Sequence, residues 1–341
     1  MGQKKFFTCA IGIIFLFLVI SMGVFLGCQS INKNQQLKPA NPEEKDIIIE
    51  KAIIQQHVTK LTSQEFQGRR AGTQGDAEAA LFLAQELKRL NLRPIGDKST
   101  YFQSFPVPDT DLKWEDNRLS FFLKDKNSSL ISDNVLGVLE STVRPNEYII
   151  LCAHYDHLGV WSNDLYPGAN DNASGVSAVL EIARVLKEKT ELPYSIIIAF
   201  WGAEEMGLIG SNFFIDNPTI DLKNIKFALN LDSIGKGPEN NFLMWSEGPE
   251  NITSAAYKIL KNWQDISFIL EKSSVNSSDH KAIARAGIPA ITVLADEWLI
   301  NNHTPGDDAQ DLNYSKIHVL AQKIVEFLSS PQIEELLEEE S

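Results

Sequence analysis

Imidazole and carboxylate side chains gather at a few points in this 341-residue chain. Three of those points directly follow apolar runs. His154-Tyr155-Asp156-His157 follows residues 148–153, Glu204-Glu205 follows residues 195–201, and Asp232 follows residues 226–231. A fourth, Asn170-Asp171-Asn172, opens the helix-patterned stretch that begins at Gly175, and His303 lies in the loop after the apolar run 290–294. Imidazole with carboxylate, and no thiol among them, suits zinc or a related divalent ion rather than a softer thiolate-bound metal. His154 and Asp156 are two apart, so on extended backbone they share a face and Asp156 can orient the His154 ring. Glu204 and Glu205 are adjacent and must point in different directions. One can bind metal while the other faces substrate.

These residues need a scaffold, and the pattern around them predicts one. Apolar strands at 148–153, 195–201, 226–231 and 290–294 alternate with a helix over 175–186, on which Val176, Val179, Leu180, Ala183 and Leu186 are in register. Near-continuous apolar strands alternating with helices indicate a sheet covered on both faces. Upstream, residues 46–61 read as a helix, followed by the loop Gln67-Gly68-Arg69-Arg70-Ala71-Gly72. Arg69 and Arg70 read as loop charges suited to a structural salt bridge. An amphipathic helix follows, with Ala77, Ala80, Leu81, Ala84 and Leu87 on one face. Short strands are predicted near 119–123 and 135–139, and a last helix over 315–328. Ligands of open α/β sheets bind beyond the carboxyl ends of the strands, so the polar clusters should meet in one crevice.

Five segments in order then carry a family resemblance: His154-Tyr155-Asp156, the stretch Gly168-Ala169-Asn170-Asp171-Asn172-Ala173-Ser174-Gly175, Ala203-Glu204-Glu205-Met206-Gly207-Leu208, Asn230-Leu231-Asp232, and His303-Thr304-Pro305-Gly306-Asp307. Together they resemble the co-catalytic zinc aminopeptidases, metallopeptidase family 28, over residues 61–328. The resemblance implies a three-layer α/β/α fold with a mixed, mostly parallel central sheet, zinc-peptidase/phosphorylase-like. It implies that Asp171 bridges two metal ions, that His154 and Asp232 complete one site and Glu205 and His303 the other, and that Glu204 is the general base. A cis peptide is implied at Asp171-Asn172. The family often has a second Asp where Asn172 stands, a departure that removes a charge but no implied ligand. Two dications also match three carboxylates better than one, because uncompensated charge in a partly buried site is costly. Asp156 keeps its orienting role toward His154. The segment Ser278-Asp279-His280 resembles a family segment near the substrate, leaving Asp279 and His280 open as lining residues. His157 reads as structural, as do His57 and His318.

Composition bounds the rest. The formal net charge of −14 argues against a general nucleic-acid binder. Lys4 and Lys5 precede an apolar run from Phe6 to Leu26 that ends at Gly27-Cys28. This reads as an export signal over residues 1–27 with Cys28 lipidated, or as an uncleaved anchor. A polar tether is expected over 28–45, one metallopeptidase domain over 46–330 and a solvated acidic tail over 331–341. The chain is thus expected to face the outside of the cytoplasm and to act on peptides with a free N-terminus. Cys152, inside an apolar run, reads as a buried small hydrophobe. Three readings compete with the aminopeptidase: a glutaminyl cyclase-like single-zinc acyltransferase, a carboxypeptidase, which needs a cationic group for the substrate carboxylate that the sequence does not identify, and a non-catalytic binding ectodomain.

Overall fold

The computed structural model describes residues 48–115, 118–189, 191–271 and 277–338. The expected export segment and tether lie outside them. Among the described residues no helix is long and apolar enough to cross a membrane.

Eleven strands form in chain order: β1 (Arg93–Pro94), β2 (Phe102–Glu115), β3 (Arg118–Leu139), β4 (Tyr148–His154), β5 (Gly159–Trp161), β6 (Asp164–Tyr166), β7 (Ser195–Trp201), β8 (Ile225–Leu231), β9 (Asn241–Glu247), β10 (Ser267–Leu270) and β11 (Ala290–Ala295). Nine of them make one sheet in the order β1-β3-β7-β4-β8-β11-β9-β10, with β2 paired to β3. The four central strands β7, β4, β8 and β11 are parallel, and β3, β9 and β10 run against the rest. All seven residues of both β4 and β7 are buried, because neither face meets water.

The helices are α1 (Lys51–Leu61), α2 (Gln74–Arg89), α3 (Gly175–Lys187), α4 (Ile209–Asp216), α5 (Glu250–Lys261), α6 (His280–Ala284), α7 (Tyr314–Leu328) and α8 (Pro331–Glu338). Side chains alternate across a strand, and the two faces of β4 show where the layers lie. Ile149, Leu151 and Ala153 join a core with Val58 of α1, Leu83 of α2, Val179 of α3 and Leu320 of α7. Ile150 and Cys152 join a smaller one with Phe214 of α4 and Ile283 of α6. The fold is therefore the three-layer α/β/α architecture implied above.

Four details differ from the sequence reading. The two short strands expected near 119–123 and 135–139 are parts of one 22-residue strand, β3, folded back on β2 as a long hairpin. The polar stretch between them looks like loop because much of the hairpin stands clear of the core. On α2 the buried face is Ala79, Ala80, Leu83, Ala84 and Leu87, while Leu81 is 46% exposed. The region 232–289, left unassigned by pattern, holds β9, α5, β10 and α6. Finally, residues 331–338 are not a solvated tail: α8 buries Ile333 and Leu336 against the main core, and Glu334 pairs with Arg144 at 2.6 Å. The acidic run masked an amphipathic helix, with apolar residues three and four apart.

Ile333→Ala should lower stability by about 2–4 kcal/mol through lost burial and a residual cavity. Chemical denaturation reads this directly, and an unchanged midpoint would return α8 to the status of a solvated appendage.

Candidate metal centre and active site

Each site residue sits where an element ends. His154 is the last residue of β4, and Asp232 follows β8. Glu204 and Glu205 follow β7 after Gly202 and Ala203. Asp171 lies in the irregular turn Ala169–Ser174 before α3, and the Asp171–Asn172 peptide is cis. His303 lies in the loop after β11. Ala203, Ser233 and His303 have left-handed backbone, with φ of 54°, 51° and 56°. Such non-glycine conformations cost of order 1–3 kcal/mol each and persist only where the surroundings enforce them. Two glycines are required by close approach. A Cβ on Gly168 would lie 2.3 Å from the Asp171 carbonyl oxygen, and one on Gly175 would lie 2.3 Å from that of Leu231.

Asp171 is the centre of the arrangement. Its Oδ1 lies 3.2 Å from His154 Nε2, which is also 3.4 Å from Asp232 Oδ1. Its Oδ2 lies 3.3 Å from His303 Nε2, which is 2.9 Å from Glu205 Oε2. Two donor groups result, His154–Asp171–Asp232 and His157–Asp171–Glu205–His303, each with its ligand atoms within 4.8 Å of one another. The five residues singled out as ligands by sequence therefore meet, though they come from five separate segments. They line a cavity of about 300 Å³ together with Glu204.

Other side chains aim these donors. Asn302 Nδ2 donates to Asp171 Oδ2 at 2.6 Å, and His303 Nδ1 faces the Leu119 carbonyl at 2.7 Å. Ser278 donates to Asp232 Oδ2 at 2.7 Å. Asp307 accepts from the Asn170 and Asp171 main-chain N–H groups at 2.9–3.0 Å, holding the turn. Asp156 acts differently from the reading of it as a ring-orienting group alone. Its carboxylate is 3.7 Å from His154 Nδ1, and its own carbonyl is closer at 3.3 Å. The carboxylate accepts from the Glu204 N–H at 2.9 Å and the Glu205 N–H at 3.3 Å. It thus ties the loop after β7 to the end of β4.

Several of these roles were missed in sequence. His157 Nδ1 lies 2.9 Å from Glu205 Oε1, so it meets the site through Glu205. Arg69 is wholly buried and forms no salt bridge among the described residues; it donates to the carbonyls of Leu61, Tyr155, Pro167 and Gly168 at 2.6–2.9 Å. It clamps the loop after β4 to the turn bearing Asp171. Arg70 donates to the Thr110 carbonyl and covers the Phe121 ring. The only sequence signal was a pair of arginines in a glycine-containing loop, which does not say which one turns inward. Asp279 is buried and does not line the cavity, but its charge reaches Glu204. His280 turns to Thr292 at 2.7 Å and lies beneath Trp245. His57 and His318 pack in the scaffold, and Cys152 is fully buried, as read.

The electrostatics show what the cluster lacks. Burial opposes charge at His154, Asp171, Glu204, Glu205 and His303. Against that burial, hydrogen bonds from His154 and His303 hold Asp171 well below the ordinary carboxylate range. Against it too, the Glu205 and Asp171 charges push His303 up to about 10, and the charge of His303 holds Glu205 near 2. The imidazoles of His154 and His303 are thus driven toward the cationic form by the carboxylates around them. Glu204 is the opposite case: burial first, then Asp279 and Glu205, raise its carboxyl well above its usual value against the pull of His154. A donor set of imidazoles and carboxylates fits zinc or a related divalent cation, which would relieve this excess of negative charge.

Arg69→Met removes four charge-assisted hydrogen bonds and leaves buried carbonyls unpaired, so unfolding free energy should fall by about 3–5 kcal/mol. Arg69→Lys should recover only part, since an ammonium lacks the planar fork; equal stability of either variant with the parent would remove the clamp. A second prediction concerns acid. Burial, then Lys281, pushes His280 down to about 3. The unfolded imidazole takes a proton below about 6.5, so His280 contributes stability above that pH that is lost as pH falls toward 3. His280→Gln should flatten the fall in denaturation midpoint between about pH 6 and pH 4, and a parallel pH profile would contradict it.

Comparison with known proteins agrees with this geometry. Residues 134–328, more than half the chain, match Peptidase family M28. Aminopeptidase YwaD of Bacillus subtilis is 28% identical over 229 residues, covering 62% of this chain and 48% of its own. The chain spans about half the length of the curated relatives it matches first. Among solved structures, BSAP, a zinc aminopeptidase from Bacillus subtilis, superposes with a TM-score of 0.63 at 19% identity, covering 82% of this chain and 94% of that one. The Porphyromonas gingivalis glutaminyl cyclase does so with 0.60 at 18% identity, covering 83% and 98%, so the fold alone is shared by both chemistries. The family match spans the end of β3 through α7 and takes in every donor but none of the long hairpin's outer half: the chain belongs to peptidase family M28.

Proposed function

We propose that this protein is a zinc aminopeptidase that hydrolyses the peptide bond after the first residue of peptides with a free N-terminus. The observation that carries the reading is Asp171, which offers one carboxylate oxygen to each of two donor groups beside the buried carboxyl of Glu204. His154 and Asp232 would complete one zinc site, Glu205 and His303 the other. The three carboxylates Asp171, Glu205 and Asp232 match two dications better than one. When bound, such an ion pair supplies Lewis acidity that activates a water and polarises the scissile carbonyl.

The chain's own residues do the rest. Glu204, with its proton affinity raised by burial, takes a proton from the attacking water and passes it to the leaving amine. Asp156 fixes the main chain of Glu204 and so the position of that carboxyl. His157 braces Glu205. The free α-amine of the substrate would lie against the carboxylates or the metal at the closed end of the cavity.

The protein is also proposed to be exported. Lys4, Lys5, the apolar run and Cys28 support a signal over 1–27 with membrane attachment at Cys28, a tether over 28–45, and one catalytic domain from about residue 46 through α8.

Hydrolysis of aminoacyl chromogenic amides tests the reading. Release should require zinc, occur from free but not acetylated N-termini, and fall about 10²–10⁴-fold in Glu204→Gln. Elemental analysis should return two zinc ions per active chain. One zinc ion together with cyclisation of N-terminal glutamine would replace this reading with the cyclase.

A further inference from the structure

One cation in the cavity has no part in the arrangement above. Arg118 opens β3, arriving from the hairpin rather than from the α/β core, and lines the same cavity as Asp171, Glu205 and His303. One guanidinium nitrogen lies 3.0 Å from His303 Nδ1 and 3.1 Å from Nε2. A single donor equidistant from both ring nitrogens lies over the ring and not along either nitrogen's in-plane axis. Those axes are already used: Nδ1 faces the Leu119 carbonyl, and Nε2 faces Glu205 and Asp171. Arg118 Nε is buried and has no hydrogen-bond partner, and no described carboxylate comes within 4 Å of the guanidinium. The carboxylates of Asp171, Asp232 and Glu205 are turned to other donors, and Nε of the arginine is left without an acceptor. A buried N–H without an acceptor is destabilising, and a bound acceptor would relieve it.

From this we infer that Arg118 recognises a carboxylate on the substrate beyond the bond that is cut, and that the protein favours short peptides whose terminal carboxylate falls inside the cavity. Arginine suits this because its fork matches a carboxylate with two parallel hydrogen bonds. The cavity volume of about 300 Å³ lies at the small end for ligand sites, room for a molecule of dipeptide size. Among the described residues lining the cavity, Arg118 is the cationic side chain outside the proposed metal-donor set, so it also sets the end toward which the carboxylate lies. The inference rests on the aminopeptidase reading for its reaction, though not for the binding of the carboxylate.

The test compares three substrates with a common first residue: a dipeptide with a free carboxylate, the same dipeptide as its C-terminal amide, and an amide whose second residue is glutamate. For the zinc-loaded parent protein, kcat/KM should favour the free acid over the plain amide by about 10- to 100-fold, mostly through KM. In Arg118→Met that ratio should fall to near one, whatever happens to the amide itself, and Arg118→Lys should give an intermediate ratio. Recovery of the preference with the glutamate amide would place the carboxylate on the side chain and overturn the short-peptide part. A merely structural Arg118 would lower both rates together and leave the ratio unchanged, which overturns the proposal. Calorimetric binding of the acid and the amide to zinc-loaded Glu204→Gln, with and without Arg118→Met, reads the same ratio without turnover. If the parent cleaves none of the three, the aminopeptidase reading fails while the binding ratio still decides the role of Arg118.

Discussion

Negative charge gathered out of water is the constraint on which this structure turns. Asp171, Glu205 and Asp232 converge within a few ångströms, with Glu204 beside them and Asp156, Asp279 and Asp307 buried behind. Carboxylates held in low dielectric repel one another and lose their hydration, so each must be compensated. The protein does this partly with donors: main-chain N–H groups on Asp307 and Asp156, Ser278 on Asp232, and Asn302 on Asp171. It does it partly with positive charge, from His303 and from the fully buried Arg69. What remains is a concentration of electron-pair donors suited to divalent cations.

The scaffold makes that concentration tolerable. A covered parallel sheet presents its strand ends on one rim, where main chain leaves the ladder and its polar groups are free to bind side chains. The left-handed residues Ala203, Ser233 and His303 mark where the chain turns sharply at this rim. Their cost is offset by the two apolar cores below, which hold both faces of β4 and β7 dry. Arg69 links the levels. Four carbonyls, from the end of α1, the loop after β4 and the turn before α3, accept from one guanidinium, so the turn with Asp171 and the loop after His154 keep their separation.

The hairpin of β2 and β3 gives the site a wall that the core does not supply. Leu119 receives His303 through its carbonyl, and Arg118 beside it brings a cation to an acidic cavity. The donors come from the rim common to the fold. The wall comes from a segment whose outer half lies outside the family match at residues 134–328.

How far the sequence alone reached follows from local physics. Strands buried on both faces must be apolar throughout, so β4, β7, β8 and β11 were legible, and so were the polar residues that ended them. His154, Asp171, Glu204, Glu205, Asp232 and His303 could be named because each stood at such a boundary and because five segments resembled one family in order. Partnerships across the chain were not legible. Arg69 binds carbonyls up to 99 residues away, and nothing in a carbonyl's sequence context marks it as an acceptor. His157 and His154 are three apart, and only the turn of the backbone after β4 decided that one faces Asp171 and the other braces Glu205. The hairpin and α8 were misread for a related reason: only some of their apolar residues dock, Leu112 and Leu119 in the one and Ile333 and Leu336 in the other, among many neighbours that meet solvent. Residue type and burial pattern determined the chemistry available to this protein and the sheet that carries it. Tertiary structure decided which charges meet, because the energies that separate one partner from another are set by distance and desolvation, and neither is a property of the linear chain.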